Sequence, residues 1–128
     1  MDTSISFDEK YENFSIKGDK LACPCCQAFD YDEIFWNRVQ VLRWLIDRPF
    51  IIAPGGGYRC RFYNEGLKYS VPDSRHLQGA ALDVSIKGWP GDIKWFFVEQ
   101  AQNLGFSLGL TYPTWIHIDD RDGKPVLF

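Results

Sequence analysis

The sequence is poor in several features that would point to common functional classes. It has no run near the ~18 apolar residues that a membrane-spanning helix needs, and residues 1–8 lack the basic and then apolar pattern of a secretion signal. Basic charge is not in excess either, since the net charge is −3 and the pI is near 5.3. We therefore expect neither a membrane partner nor electrostatically driven binding to nucleic acid, and we expect synthesis in the cytoplasm.

Apolar and aromatic residues are nevertheless plentiful, at 45% and 16% of the 128 residues. This length and composition predict one domain with a real core. We treat residues 1–128 as a single domain in which the polar segment 1–20 is an N-terminal extension and 21–128 form the core. No repeat, linker or low-complexity tract divides the chain.

Hydrophobic periodicity predicts a mixture of helices and strands. Helical spacing of apolar residues predicts helices over 32–47 and 92–103, capped by Asp30 or Asp32 and by Asp92. Their predicted inward positions include Ile34, Leu45 and Phe96. Short apolar or alternating runs predict strands, at 14–16, 50–53, 82–86, 106–112, 115–119 and 126–128. The expected fold class is α+β, a small single domain in which two helices cover one face of an antiparallel sheet.

The two histidines of the chain, His76 and His117, lie in or beside the alternating segments. Alternation places Asp83 on one face of its strand and His117 on one face of the other, so pairing of the strands would bring these side chains together. His76 lies in the preceding turn, where Gly79 lets the chain fold back. Two imidazoles and a carboxylate form a three-ligand set suited to zinc with a fourth position left open.

Three of the four cysteines lie in one loop, as Cys23, Cys25 and Cys26, and the fourth is Cys60. Without a secretion signal, structural disulfides are not the default. A second, structural zinc held by these thiolates is one interpretation. The Cys-x-Cys-Cys spacing departs from common zinc knuckles, so reduced thiols that pack the loop near Cys60 are an equal alternative.

A glycine-rich turn occupies residues 54–57. It lacks the Lys-Ser/Thr of a phosphate-binding loop, which argues against nucleotide binding. Its expected use is to let the backbone pass close to another element.

The motif Ser74-x-His76-x-x-Gly79-x-Ala81-x-Asp83, followed by Trp-x-His-x-Asp at 115–119, resembles the zinc D-Ala-D-Ala peptidase family. This group has a hedgehog-type fold and includes D,D-carboxypeptidases, vancomycin-resistance dipeptidases and phage endolysins. Residues 49–52 and the Gly-Tyr-Arg segment at 57–59 are similar to further motifs of the family, so the resemblance covers roughly residues 20–120.

The resemblance implies that His76, Asp83 and His117 bind Zn²⁺ and that Arg59 stabilises the oxyanion of the reaction. Such a site is chemically coherent, because zinc lowers the pKa of a bound water to ~7. A cation facing a developing oxyanion favours the transition state. Arg59 could also be a structural surface residue. Ser74, Tyr58 and Trp115 are the candidate substrate-binding residues.

One position departs from the family pattern. Many members have a glutamate three residues before the last zinc histidine as general base, and Thr114 occupies that position here. Asp119 is the first candidate to replace it, and Asp120 the second. Asp119 could instead orient His117 as a hydrogen-bond partner.

The function expected from these features is zinc-dependent hydrolysis of a peptide bond in bacterial peptidoglycan stem peptides, of D,D-carboxypeptidase or endolysin type. The expected partner is the stem peptide, and the expected oligomeric state is a monomer. We expect the protein either to be encoded by a phage or to reach the cell wall by another route. The alternative from another class is a non-catalytic, zinc-containing domain that binds peptidoglycan or a protein. A third reading is a structural virion component without a ligand.

Overall fold

An antiparallel sheet organises the protein in a computed structural model that describes residues 5–67, 70–121 and 123–128. Its four strands in this part of the chain are β1 (Ile51–Ile52), β2 (Ala81–Ser85), β3 (Ser107–Gly109) and β4 (Trp115–Asp119). Their order is β1-β2-β4-β3, so β2 and β4 are the central strands. The expected α+β class with an antiparallel sheet is confirmed.

Four α-helices accompany the sheet in the described ranges: α1 (Phe7–Lys10), α2 (Glu33–Ile46), α3 (Arg61–Glu65) and α4 (Gly91–Asn103). Asp32 caps α2 as predicted, because its side chain accepts a hydrogen bond from the Phe35 N–H at 2.9 Å. The predicted cap of α4 is wrong, since that helix begins after Pro90 without a side-chain cap and Asp92 lies inside its first turn. None of these helices has the length and apolar character to cross a bilayer.

The two long helices contact each other and share one core with the apolar side of the sheet. This common core includes Phe35, Val39, Leu42, Leu82, Val84, Phe97, Ala101, Ile116 and Ile118. Three predicted inward positions are wrong, because Ile34, Leu45 and Phe96 are exposed. They fall at the margins of their helices' apolar stripes, and periodicity alone does not fix how wide a buried stripe is.

The N-terminal extension packs into the same core. Phe7, Tyr11 and Phe14 are buried, and the rings of all three contact that of Trp36 on α2. The predicted strand at 14–16 is wrong, since this segment leads into a turn in which Asp19 N–H bonds Ser15 O. Residues 5–20 therefore belong to the packed body through their buried aromatic residues.

Two other predicted strands, both at the edges of the sheet, are shorter in the structure than the sequence predicted. Residues 50–53 were expected to form a buried strand, but only Ile51 and Ile52 pair, and Ile51 is 64% exposed. At residues 126–128, the expected edge strand is a single parallel bridge between Leu127 and Leu108. Edge positions lack a neighbour on one side, so an apolar sequence there does not require burial.

Candidate metal centre

The side chains of Asp83 and His117 meet across the two central strands. Asp83 on β2 is the direct partner of His117 on β4, which confirms that the two residues share one face of the sheet. Gly56 makes room behind this pair, because a Cβ there would lie 2.8 Å from the Cβ of Asp83. The glycine-rich turn thus has the predicted use of close backbone passage.

A 3₁₀ turn, Arg75–Gln78, delivers the third side chain. Ser74 caps this turn through its hydroxyl, which accepts from the His76 N–H at 3.3 Å, and Gly79 ends it at φ +66°. One ligand atom each of His76, Asp83 and His117 lies within 4.8 Å of the other two. The structure therefore brings together all three residues that the sequence singled out as metal ligands.

The ring of His76 is held so that one nitrogen is free to bind a metal. Nδ1 lies 2.8 Å from the carbonyl oxygen of Gly57, and since a carbonyl only accepts, Nδ1 carries the proton. The unprotonated Nε2 then faces Oδ1 of Asp83 at 3.4 Å. Because His76 is 2% exposed, this ring has little freedom to turn.

The ring of His117 is held in the opposite sense. Its Nε2 donates to Oδ2 of Asp119 at 2.7 Å, and its Nδ1 faces Oδ1 of Asp83 at 2.8 Å. Arg121 in turn donates to both oxygens of Asp119, which is 1% exposed. Asp119 therefore fixes which nitrogen of His117 points into the centre.

Asp83 divides its two oxygens between the histidines and Arg59. Oδ1 faces both imidazoles, and Oδ2 accepts from Nη2 of Arg59 at 3.2 Å. Nε of Arg59 also donates to Gly55 O at 2.8 Å. Arg59 is thus anchored at two points beside the centre, rather than extended into solvent.

Protonation in this cluster follows from the packing. Burial alone would raise the pKa of Asp83, but the neighbouring His76 and His117 hold that pKa well below its usual value. Burial lowers the pKa of His76, against the attraction of Asp83. Burial acts the same way on His117, but its bonds to Asp119 and Asp83 outweigh this and raise its pKa. For Asp119, burial is outweighed by Arg121 and His117, so its pKa is lowered.

The donor set fits a metal ion. When His117 is a neutral imidazole with its proton on Nε2, the lone pair of Nδ1 faces Oδ1 of Asp83, and a cation between these two atoms would bind both. Two imidazoles and one carboxylate could hold a divalent metal such as zinc. The partners behind the ligands, Gly57 and Asp119, are of the kind that orient metal-binding histidines.

The three ligands line a cleft of about 770 Å³. Arg59, Ser74 and Trp115, which the sequence proposed for catalysis or substrate contact, line the same cleft. Thr114, at the position of the family glutamate, does so as well. Tyr58, the remaining candidate, is absent from the described lining and packs its ring edge-on against Phe29, so its contact with substrate stays a prediction.

Tyr112 also lines the cleft and stacks on Trp115 with ring centroids 4.7 Å apart. Three residues of the cleft, Phe128, Arg121 and Asp73, escaped the sequence analysis. The ring centroid of Phe128 lies 5.7 Å from that of His117. Arg121 places its guanidinium 4.7 Å over Phe128. Asp73 lines the cleft from an exposed loop. The short spacing of Arg121 from Asp119 was the one signal in the sequence that could have revealed any of them.

The four cysteines form a second cluster away from the cleft. All four thiols are free, and their sulfurs lie within 4.8 Å of one another. Cys23 is buried, Cys60 is half-buried, and Cys25 and Cys26 are exposed. This group could also hold a metal ion.

No protein-family model, curated protein or solved structure matches the chain.

Proposed function

We propose that the protein is a zinc-dependent peptidase that hydrolyses a peptide bond in bacterial peptidoglycan stem peptides. The observation that carries the proposal is the cage of His76, Asp83 and His117 in a cleft, with Arg59 bonded to the same carboxylate. The resemblance of these residues to the D-Ala-D-Ala peptidase motifs supplies the substrate class. The hedgehog-type fold belongs to this proposal, since it rests on the same motifs.

Zinc suits this cage because two imidazoles and one carboxylate leave a fourth position open, as in catalytic zinc sites. When bound, zinc polarises a carbonyl oxygen and provides a water that ionises at near-neutral pH. His76 and His117 would hold the ion through Nε2 and Nδ1, because Gly57 and Asp119 engage their other nitrogens. Asp83 would contribute Oδ1.

Arg59 is the cation of the cleft that we assign to the developing oxyanion. Its contacts with Gly55 O and Asp83 hold the guanidinium in place before substrate arrives, and preorganisation is what makes such a group effective. The stacked rings of Tyr112 and Trp115 form an apolar wall beside it. Small alkyl side chains, such as those of alanine in stem peptides, would pack against this wall.

The proton acceptor must replace the missing glutamate. Asp119 bonds the nitrogen of His117 that points away from the cage, and Arg121 occupies both its oxygens. This geometry favours the orienting role of Asp119 over the role of general base. Among the carboxylates of the described cleft, which also include Asp83, Asp73 is exposed and outside the ligand network, so we assign the proton transfer to Asp73.

The test is release of amines from purified peptidoglycan and from D-Ala-D-Ala peptides, with zinc supplied. We expect product from the wild type and at least a hundredfold loss for His117→Ala, because one ligand is removed. Asp73→Asn should lower kcat with zinc content unchanged. Absence of product from the wild type, or equal product from His117→Ala, would refute the peptidase.

Thr114 favours a second candidate, a zinc-containing domain that binds peptidoglycan without cleaving it. A hydroxyl that does not titrate near neutral pH occupies the position where many family members have their base. Sedimentation of the protein with cell-wall sacculi, without release of amines, would favour this function over the enzyme.

A further inference from the structure

The cysteine cluster joins two segments that are distant in the sequence. The Sγ atoms of Cys23 and Cys25 are 3.5 Å apart, and those of Cys25 and Cys60 are 3.3 Å apart. All four sulfurs fit within 4.8 Å. Tetrahedral zinc with Zn–S bonds of ~2.3 Å places its sulfurs ~3.8 Å apart, so the observed spacing needs only small side-chain adjustments to take an ion.

Backbone N–H groups already point at these sulfurs. The Cys60 N–H donates to Sγ of Cys23, and the Tyr63 N–H donates to Sγ of Cys60, both at 3.4 Å. Hydrogen bonds of this kind favour the thiolate over the thiol.

We propose that Cys23, Cys25, Cys26 and Cys60 bind a structural zinc ion that clamps the 23–26 loop to the start of α3. Four thiolates in a closed set are typical of structural zinc. Loading the site displaces each remaining thiol proton to solvent as its Zn–S bond forms, and no electrons are exchanged. This site shares no ligand with the cleft.

The proposed clamp would also restrain the backbone of Arg59, because Arg59 directly precedes Cys60. On the other side of Arg59, the Tyr58 N–H donates to Leu21 O at 2.8 Å, and a Cβ at Gly57 would lie 2.8 Å from the Leu21 Cα. The Arg59 N–H itself bonds His76 O at 3.2 Å. The backbone that carries Arg59 is thus held between the loop and the 3₁₀ turn, and the thiolate zinc would fix its C-terminal side.

The experiment is titration of the reduced full chain with Co²⁺, read by absorption. Cobalt bound by thiolates gives intense sulfur-to-metal charge-transfer bands, which an imidazole and carboxylate site does not. We expect two equivalents and these bands in the wild type. Cys25→Ser with Cys26→Ser should lose one equivalent and the bands, and because both residues are exposed, the core should be undisturbed.

The matched control is His76→Ala with His117→Ala, which should lose one equivalent and keep the bands. Failure of the peptidase would leave this pattern unchanged, so the two proposals are separable. Unchanged bands in the cysteine variant, or no bands in a wild type with four titratable thiols, would overturn the clamp. A disulfide under gentle purification, or iron in place of zinc by elemental analysis, would also overturn it.

Discussion

At the scale of single residues, the decisive contact is the one between Asp119 and His117. The imidazole has two nitrogens, and the bond of Nε2 to Asp119 at 2.7 Å leaves Nδ1 as the nitrogen that faces Asp83 at 2.8 Å. Arg121 holds the carboxylate in turn. The orientation of one ligand therefore depends on two residues that lie outside the cage itself.

Asp119→Asn tests this dependence. An amide beside Arg121 cannot accept from both Arg121 and His117 as the carboxylate does, so His117 loses its fixed orientation. We expect zinc affinity at the cleft to fall by about 10–100-fold, measured by chelator competition in the variant lacking the exposed thiols. Asp120→Asn, which alters a half-buried ion pair with Arg38, is the matched control and should bind zinc as the wild type does. Equal affinities for both variants would contradict the role.

The three ligands were predictable from sequence because they combine rare residues with strict alternation. His76, Asp83 and His117 each follow a local rule, namely a turn glycine or a strand register. The direction of each ring was not predictable, since it is set by Gly57 and Asp119 through contacts in three dimensions. The packing of Tyr58 on Phe29 was not predictable for the same reason, because alternation does not reveal which loop will cover a side chain.

At the scale of elements, the 3₁₀ turn that carries His76 is joined to the start of α2. Gly79 O accepts from the Asp32 N–H at 3.2 Å, and a Cβ on Gly79 would collide with backbone atoms of Asp30 and Tyr31. Gly79 also has φ +66°. The sequence indicated the need for glycine at this turn, but the long-range contact with α2 has no local signature.

A comparison of Gly79→Ala with Gly88→Ala separates the need for a positive φ from the need for close backbone approach at Gly79. Gly88 has φ +77° but open space around its Cα, so alanine there should cost only the conformational strain of about 1–2 kcal/mol. Gly79→Ala should cost clearly more and should weaken metal binding, because the backbone beside His76 must move. Urea denaturation gives the free energies of unfolding. Equal losses in the two variants would show that the close approach is unimportant.

The lengths of the elements show where sequence patterns stop being informative. The helices at 33–46 and 91–103 and the strand at 115–119 were predictable to within a residue or two, because long periodic segments carry a strong signal. The short segments 14–16, 50–53 and 126–128 were not, since two to four apolar residues suit a strand, a turn or a surface equally well.

At the scale of the whole molecule, the N-terminal segment is part of the folded body. Tyr11 is 2% exposed, and its hydroxyl donates to Oδ1 of Asn37 on α2 at 2.9 Å. Burial, with the nearby charges of Tyr31, Glu33 and Asp32, raises the pKa of Tyr11 from 10.0 to about 12. Ionisation of this one ring therefore opposes folding of the whole chain.

This predicts a specific alkaline sensitivity. Because the folded pKa lies above the unfolded value, the neutral ring stabilises the protein fully below pH 10, and this contribution is lost as the pH rises toward about 12. Tyr11→Phe should lower the free energy of unfolding by about 1 kcal/mol near neutral pH, because the hydrogen bond to Asn37 is lost. Between pH 10 and about 12, however, the free energy of unfolding of the variant should fall less steeply than that of the wild type. Denaturation midpoints at several alkaline pH values measure both slopes. Parallel slopes would show that Tyr11 ionises freely.

The order β1-β2-β4-β3 places Asp83 and His117 on the two inner strands, away from either margin of the sheet. Fraying begins at margins and loops, where backbone hydrogen bonds are least protected. Removal of a metal ion from the cleft should therefore leave the binding site folded, and the ion should rebind at a rate set by its diffusion to the site. The proposed thiolate clamp would join a loop to the start of a helix, so loss of its ion should free the loop, and rebinding of the ion should wait until the loop reorders.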